Sequence, residues 1–232
     1  MKKDKMLVKN YLNSSAHLGH NTKELNPKLL PYLLKKKKKF SIINLPKTYK
    51  FFQLIGNILE KKATKGGKFL FVGTTDVSSP FILKEALRTD NYYIISRWLG
   101  GTFSNWPTLQ KRVSRFLFLE KQELNGNFNL LSNKYLSGIK KEIKKLRFLF
   151  RGIKKMRAFP NAVIFVDNIK ENAAIQECIN LGIPTITLVD TNCEPDLIPF
   201  PVYSNNDSSY SISMVLKYLG DRIISGTSTL TK

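Results

Sequence analysis

The sequence predicts an α/β protein built on a parallel sheet with helices on both faces. Three observations carry that prediction. The runs FLFVG (69–73), AVIFVD (162–167) and PTITLVD (184–190) are apolar without polar alternation, as strands buried on both sides must be. Segments of helical periodicity lie between them. Glycines and prolines punctuate the boundaries where helices and strands should begin and end. Together these describe a doubly wound, three-layer arrangement.

Each element follows in order. FSIIN (40–44) reads as a strand, followed by a helix from about Pro46 to Thr64, and Gly66-Gly67 reads as a turn. After FLFVG comes SSPFILKEALR, with Ser79 as cap and Pro80 at the first helical position. YYIIS (92–96) is the next strand. Beyond AVIFVD a helix over 170–181 closes at Gly182. PTITLVD, the short run FPVY (200–203) and a helix from about Ser208 to Ile224 complete the chain.

The stretch between the strands at 92–96 and 162–167 is too long for a simple crossover. Within it Leu136, Ile139, Ile143, Leu146, Phe150 and Ile153 follow a 3-4-3-4-3 spacing, a heptad seam. Leu109, Val113, Phe116 and Leu119 give a shorter matching stripe, and ELNGNFN (123–129) supplies a polar bend between the two. The spacing predicts an inserted helical hairpin over 107–157. The sheet domain then comprises 1–106 and 158–232, with an N-terminal extension over 1–39.

Charge narrows the function. Lys and Arg number 38 against 17 Asp and Glu, a net of +21. Residues 1–157 hold 34 basic and 9 acidic side chains, whereas 158–232 hold 4 and 8. Segregation of this kind makes one electropositive face, suited to a polyanion. The apolar runs are too short to span a membrane and no terminal basic amphipathic helix is evident, so a membrane partner is disfavoured. MKKDKMLVKN lacks the apolar core of a secretory signal and does not read as a full transit peptide. Cys178 and Cys193 lack metal or redox spacing and read as buried free thiols.

Candidate residues follow from the charge map. The second hairpin helix carries Lys140, Lys141, Lys144, Lys145, Arg147, Arg151, Lys154, Lys155 and Arg157 against one acid, Glu142. A merely solvated face mixes both signs, so RNA contact is the favoured reading. The run Lys35, Lys36, Lys37, Lys38, Lys39 reads as a phosphate-facing loop ahead of an import patch or a plain exposed turn. His17 and His20 lack a third metal ligand nearby, which favours packing or RNA hydrogen bonding over metal. Both tryptophans lie in SRWLGGTFSNW (96–106). Trp98, Gly100, Gly101 and Trp106 read as a structural elbow at the base of the hairpin, ahead of a stacking platform for bases, with Arg97 and Asn105 able to reach RNA. The rival is an α/β nucleotide-binding or RNA-modifying enzyme using Asp167 or Asp190 at the carboxyl edge of the sheet. Phosphate-loop, dinucleotide, nucleophile-elbow and zinc-protease motifs are all absent. No catalytic residue, cofactor, metal or small-molecule substrate is therefore expected.

Six segments then occur in one order: HLGHNTKELNPKLLPYL (17–33), SIINLPKT (41–48), KFLFVGT (68–74), SRWLGGTFSNW, RGIKKM–FPNAVIFVD (151–167) and LGIPTITLVDTNCEPD (181–196). Together they resemble the bacterial-type small-subunit ribosomal protein S2 family over nearly the whole chain. The resemblance implies a flavodoxin-like αβα sheet with an inserted coiled-coil hairpin. It also implies a structural role on small-subunit rRNA beside neighbouring ribosomal proteins, without catalysis. His17, His20, Asn21, Lys23, Asn26, Lys28, Lys111 and Arg112 join the expected RNA contacts. The chain departs from the family at Leu25, where a tryptophan is usual, and at Arg151 and Arg157-Ala158, where glycines are usual. The Lys and Asn bias fits an AT-rich coding pool. It suggests a ribosome inside an organelle, mitochondrion slightly ahead of plastid, with a bacterial cytoplasm as the other setting.

Overall fold

The computed structural model describes residues 11–36, 39–128, 132–196 and 198–229. Its first sheet is small and antiparallel. β1 (Leu18–Asn21), β2 (Leu33–Lys36) and β3 (Phe40–Ile43) are arranged in the order β1-β3-β2, and a 3-10 helix over Pro27–Tyr32 joins the first two strands. FSIIN therefore does not enter the parallel sheet, as its place before a helix suggested. Ser41 and Ile43 are buried while Phe40 is exposed, the period-two burial of a strand covered on one face only. The described part of the expected extension, from residue 11, supplies β1 and β2 of that sheet. The loop reading is likewise corrected for Lys35 and Lys36, because Lys35 pairs with Ile42 and Lys36 with Ser41, whereas Lys39 lies outside the strands. An edge strand needs one hydrogen-bonded partner, and lysines there discourage a second. Lys37 and Lys38 lie outside the described residues.

α1 (Leu45–Ala63) opens with Pro46 in its first turn, and the Asn44 side chain accepts from Lys47 N–H at 3.2 Å. β4 (Phe69–Val72), α2 (Ser79–Arg88) and β5 (Tyr92–Ile94) follow. Ser78, rather than Ser79, takes the N-cap position of α2, but its hydroxyl bonds to Thr75 and not to the helix; the Ser79 hydroxyl turns back to the carbonyls of Gly73, Thr75 and Ile95. Next come α3 (Trp106–Leu124), α4 (Asn133–Phe150), β6 (Ala162–Phe165), α5 (Asn172–Asn180), β7 (Thr185–Val189), β8 (Phe200–Tyr203) and α6 (Ser209–Ser228).

All five strands of the larger sheet run parallel in the order β5-β4-β6-β7-β8. Counted within that sheet this is 2-1-3-4-5, the flavodoxin-like winding. Alternate strand residues feed opposite layers. Phe69, Phe71 and Ile164 pack with Phe52, Ile82 and Ile212 of α1, α2 and α6. Leu70, Val163 and Phe165 pack with Ile175 and Cys178 of α5 and with the apolar stripes of α3 and α4. Leu109, Val113, Phe116, Leu119, Ile143, Leu146, Phe150 and Ile153 are all buried in that cluster, whereas Leu136 and Ile139 are only half-buried. The heptad seam thus joins the helix pair to the sheet rather than standing as a separate two-helix core. A third, smaller cluster seats the antiparallel sheet on the ends of β7 and β8 through Leu29, Ile43, Val189 and Tyr203. Among the described residues no helix is long and apolar enough to cross a membrane.

Candidate nucleic-acid interface

The base of the hairpin is organised by a residue to which the sequence drew no attention. Glu177 of α5 reaches into SRWLGGTFSNW and accepts from Trp98 Nε1 at 2.9 Å and from the backbone N–H groups of Phe103 and Ser104 at 2.7 and 2.8 Å. The Gly101 N–H and the Ser104 hydroxyl add longer bonds at 3.3 and 3.1 Å. Such a turn folds back on itself and leaves backbone donors that demand an acceptor. Gly101 sits at φ 85°, a left-handed conformation that glycine adopts without strain. Burial pushes the Glu177 carboxyl up, but the donors of Ser104, Trp98 and Phe103 prevail and hold it below the usual carboxylate range. Trp98 meets Phe103 edge-on at 5.3 Å and also faces Phe165 of β6. Trp106 packs on Phe159 at 5.6 Å. Arg97 and Asn105 stay exposed beside this corner.

At the carboxyl edge of the sheet, the crevice between β4 and β6 is the switch point where open α/β sheets take ligands. Here the Glu171 carboxylate fills it, accepting from Thr74 N–H at 2.6 Å and Asp167 N–H at 3.1 Å. Its side chain is almost wholly buried, and that burial pushes its pKa up to about 7. Asp167 is occupied in turning the chain, with Oδ1 accepting from the N–H groups of Ile169 and Lys170. Asp190 accepts from Thr191 and Asn206. The two carboxylates of the enzymatic rival therefore bind this chain's own backbone.

A carboxyl whose pKa is raised on folding stabilises the fold below its unfolded value and loses that contribution as pH climbs through the folded one. Unfolding free energy is thus expected to fall by on the order of 2 kcal/mol as pH rises from about 4.5 to about 7. Glu171→Gln should flatten this part of the curve. Urea titrations at several pH values decide it, and an unchanged slope in the variant would reject the assignment.

The N-terminal motif uses its polar groups inward. Asn26 Nδ2 donates to the Cys193 carbonyl at 3.0 Å, while its Oδ1 accepts from Lys28 N–H. Lys28 Nζ lies 2.9 Å from Glu194 and 2.7 Å from Asp196. His20 donates its backbone N–H to Thr191 Oγ1, and its ring stands 3.4 Å from Asp207 and 3.8 Å from Asp190. His17 is half-buried, and desolvation lowers its pKa. Asn21 Oδ1 accepts from Lys23 N–H at 3.3 Å. The contacts of Asn26, Lys28 and His20 join the small sheet to the β7 loop, and among the described residues Lys23 has no acid against it.

The hairpin is different. Lys140, Lys141, Lys144, Lys145, Arg151, Lys155 and Arg157 are exposed, as are Lys111 and Arg112 of α3. Arg112 lies 5.9 Å over the Phe150 ring. Glu142 is drawn to Arg115 at 3.3 Å, Arg147 is held by Glu123 at 2.6 Å and Lys154 by Glu120 at 2.9 Å. Lys140, Lys141, Lys144 and Lys145 of α4 therefore present charge of one sign. Lys35 and Lys39 are exposed at the small sheet.

Comparison with known proteins agrees with this architecture. The sequence profile described as Ribosomal protein S2 matches residues 11–226. A small ribosomal subunit protein uS2c of Phaeodactylum tricornutum is 41% identical over 217 residues, covering 94% of this chain and 96% of its own length. One from Trieres chinensis is 40% identical, with 94% and 95% covered. A small ribosomal subunit protein uS2 of Trichormus variabilis is 39% identical, covering 93% and 81%. The profile and these relatives span both the sheet and the hairpin, and the chain belongs to the ribosomal protein S2 family.

Proposed function

We propose that this chain, by its family a structural and non-enzymatic constituent of the small ribosomal subunit, holds small-subunit rRNA through the cationic face of its hairpin. The observation that carries the reading is the run of exposed lysines at 140, 141, 144 and 145, whose single neighbouring acid is engaged by Arg115. Phosphates would replace the missing counter-charge, while the fixed curvature of the helix pair and sheet would select folded RNA by shape. Arg97, Asn105, Lys111, Arg112, Arg151, Lys155 and Arg157, all exposed, would extend that surface. Arg147 and Lys154 would reach RNA only in competition with Glu123 and Glu120. His17, His20, Asn21, Asn26 and Lys28 support it indirectly, by fixing the small sheet that carries Lys23, Lys35 and Lys39. The net negative part over 158–232 would face neighbouring ribosomal proteins rather than RNA.

The setting we infer is a plastid or bacterial ribosome. The relatives compared above are named uS2c or are cyanobacterial uS2 proteins, which does not favour the mitochondrion. Lys and Asn bias reports an AT-rich coding pool, and that bias does not distinguish one organelle from another.

Binding to a small-subunit rRNA fragment is expected to weaken steeply with salt, log K falling for each tenfold rise in salt by roughly 0.9 per phosphate neutralised on duplex RNA treated like B-form DNA, and by about 0.7 on single strands. Filter binding between 50 and 200 mM salt measures it. A flat response would reject the phosphate mechanism.

A further inference from the structure

Two clefts meet at the outer side of β5. One, of about 340 Å³, is lined by Lys68, Tyr92, Arg151 and Lys155 among others, and the next, of about 400 Å³, by Lys144, Phe148 and Ile95. They share Tyr93, Arg151 and Gly152 and so form one trough. Lys144, Phe148, Arg151 and Lys155 recur at spacings of 4, 3 and 4, the face of α4 and its last turns away from the apolar seam. At the shared point Arg151 Nε donates to Tyr93 Oη at 3.0 Å, and its guanidinium lies 5.9 Å over the Tyr93 ring. Phe148 is 67% exposed, a large apolar ring set among cations. Among the described residues Asp90 is the one acid of the lining, and Lys68 already holds it at 2.6 Å.

We propose that this trough takes unpaired nucleotides of the rRNA, with a base stacked on Phe148, its neighbour on the Arg151–Tyr93 plane, and the phosphates on Lys144 and Lys155. The proposal rests on the RNA-binding reading and adds to it the kind of RNA bound here. Cations alone would serve a duplex equally well. An exposed aromatic ring serves only a base that has left its stack, because duplex bases are already covered on both faces. Interleaved rings and cations along a groove are the usual construction for single strands. The excess positive charge argues against a neutral or basic peptide as occupant.

The full chain should be titrated with a labelled single-stranded RNA and with a blunt duplex of the same length. Phe148→Ala is expected to weaken single-strand binding by about ten- to a hundredfold, leaving duplex affinity and salt slope unchanged. Phe148→Trp should restore it, and Phe118→Ala, which removes a 53% exposed ring on α3, should change nothing. If RNA is bound but Phe148→Ala binds single strands like the parent, or loses duplex equally, the trough is overturned while the RNA-binding reading stands. If neither RNA is bound, that reading falls and the trough with it. Binding of an acidic peptide that depends on Phe148, with RNA indifferent to it, would reassign the trough to a protein partner.

Discussion

Replacing Glu177 with alanine is expected to destabilise the protein by about 3 kcal/mol, more than any single surface charge should. One carboxylate accepts from the Trp98 indole, the N–H groups of Gly101, Phe103 and Ser104, and the Ser104 hydroxyl. Hydrogen bonds to a charged acceptor are the stronger class, and removing the acceptor leaves several donors without a partner at once. Glu177→Gln keeps an acceptor oxygen but puts an amide donor against other donors, so it should cost less than alanine yet remain clearly destabilising. The sign with pH is set by the lowered folded pKa. Its contribution is complete above the unfolded carboxyl range and is lost as pH falls through the folded value. The gap between parent and Glu177→Ala should accordingly narrow in acid. Guanidinium titrations read by tryptophan fluorescence suit the question, since Trp98 reports on the same corner. Coincident midpoints at neutral pH would show the turn to be held by packing alone.

Reversing Lys140, Lys141, Lys144 and Lys145 together to glutamate is expected to lower rRNA-fragment affinity by on the order of a thousandfold at moderate salt. The same change should make the log K against log salt slope shallower by up to about 3, since lost phosphate contacts no longer release counterions. All four side chains are exposed, and the apolar seam on Ile143, Leu146 and Phe150 is untouched. Thermal stability should therefore stay close to that of the parent, separating loss of contact from loss of fold. In cells, the variant should leave the small-subunit fraction of a sucrose gradient. Normal co-sedimentation with an unchanged slope would place the RNA contact on another surface.

The elements most legible in the sequence were those whose signals are local. β4, β6 and β7 are apolar runs buried on both faces, and composition alone marks them. α1 and α2 declare themselves by proline in the first turn. LGHN and LLKK gave no such signal. β1 and β2 exist because β3 lies between them, a partnership made across the chain rather than within a window. Lysines at 35 and 36 looked like loop because charge repels charge, and the edge position that tolerates them is a property of the sheet. The cationic face of α4 was readable because helical spacing and sign are both local. Glu177 and Glu171 were not, because a glutamate on a helix ordinarily reads as solvent-facing, and only the tertiary fold brings backbone donors to it.

A parallel sheet ends in two strands with unused hydrogen-bonding rows, each a template for a foreign strand. On β5 the Tyr93 N–H is already given to the carbonyl of Gly152, at 3.2 Å, as the chain returns from the hairpin. A side chain at 152 could not come so near, since a Cβ there would stand 2.0 Å from the Tyr93 carbonyl oxygen. The return limb thus works against edge-to-edge pairing on this side of the sheet, by taking up a donor that a foreign strand would otherwise use.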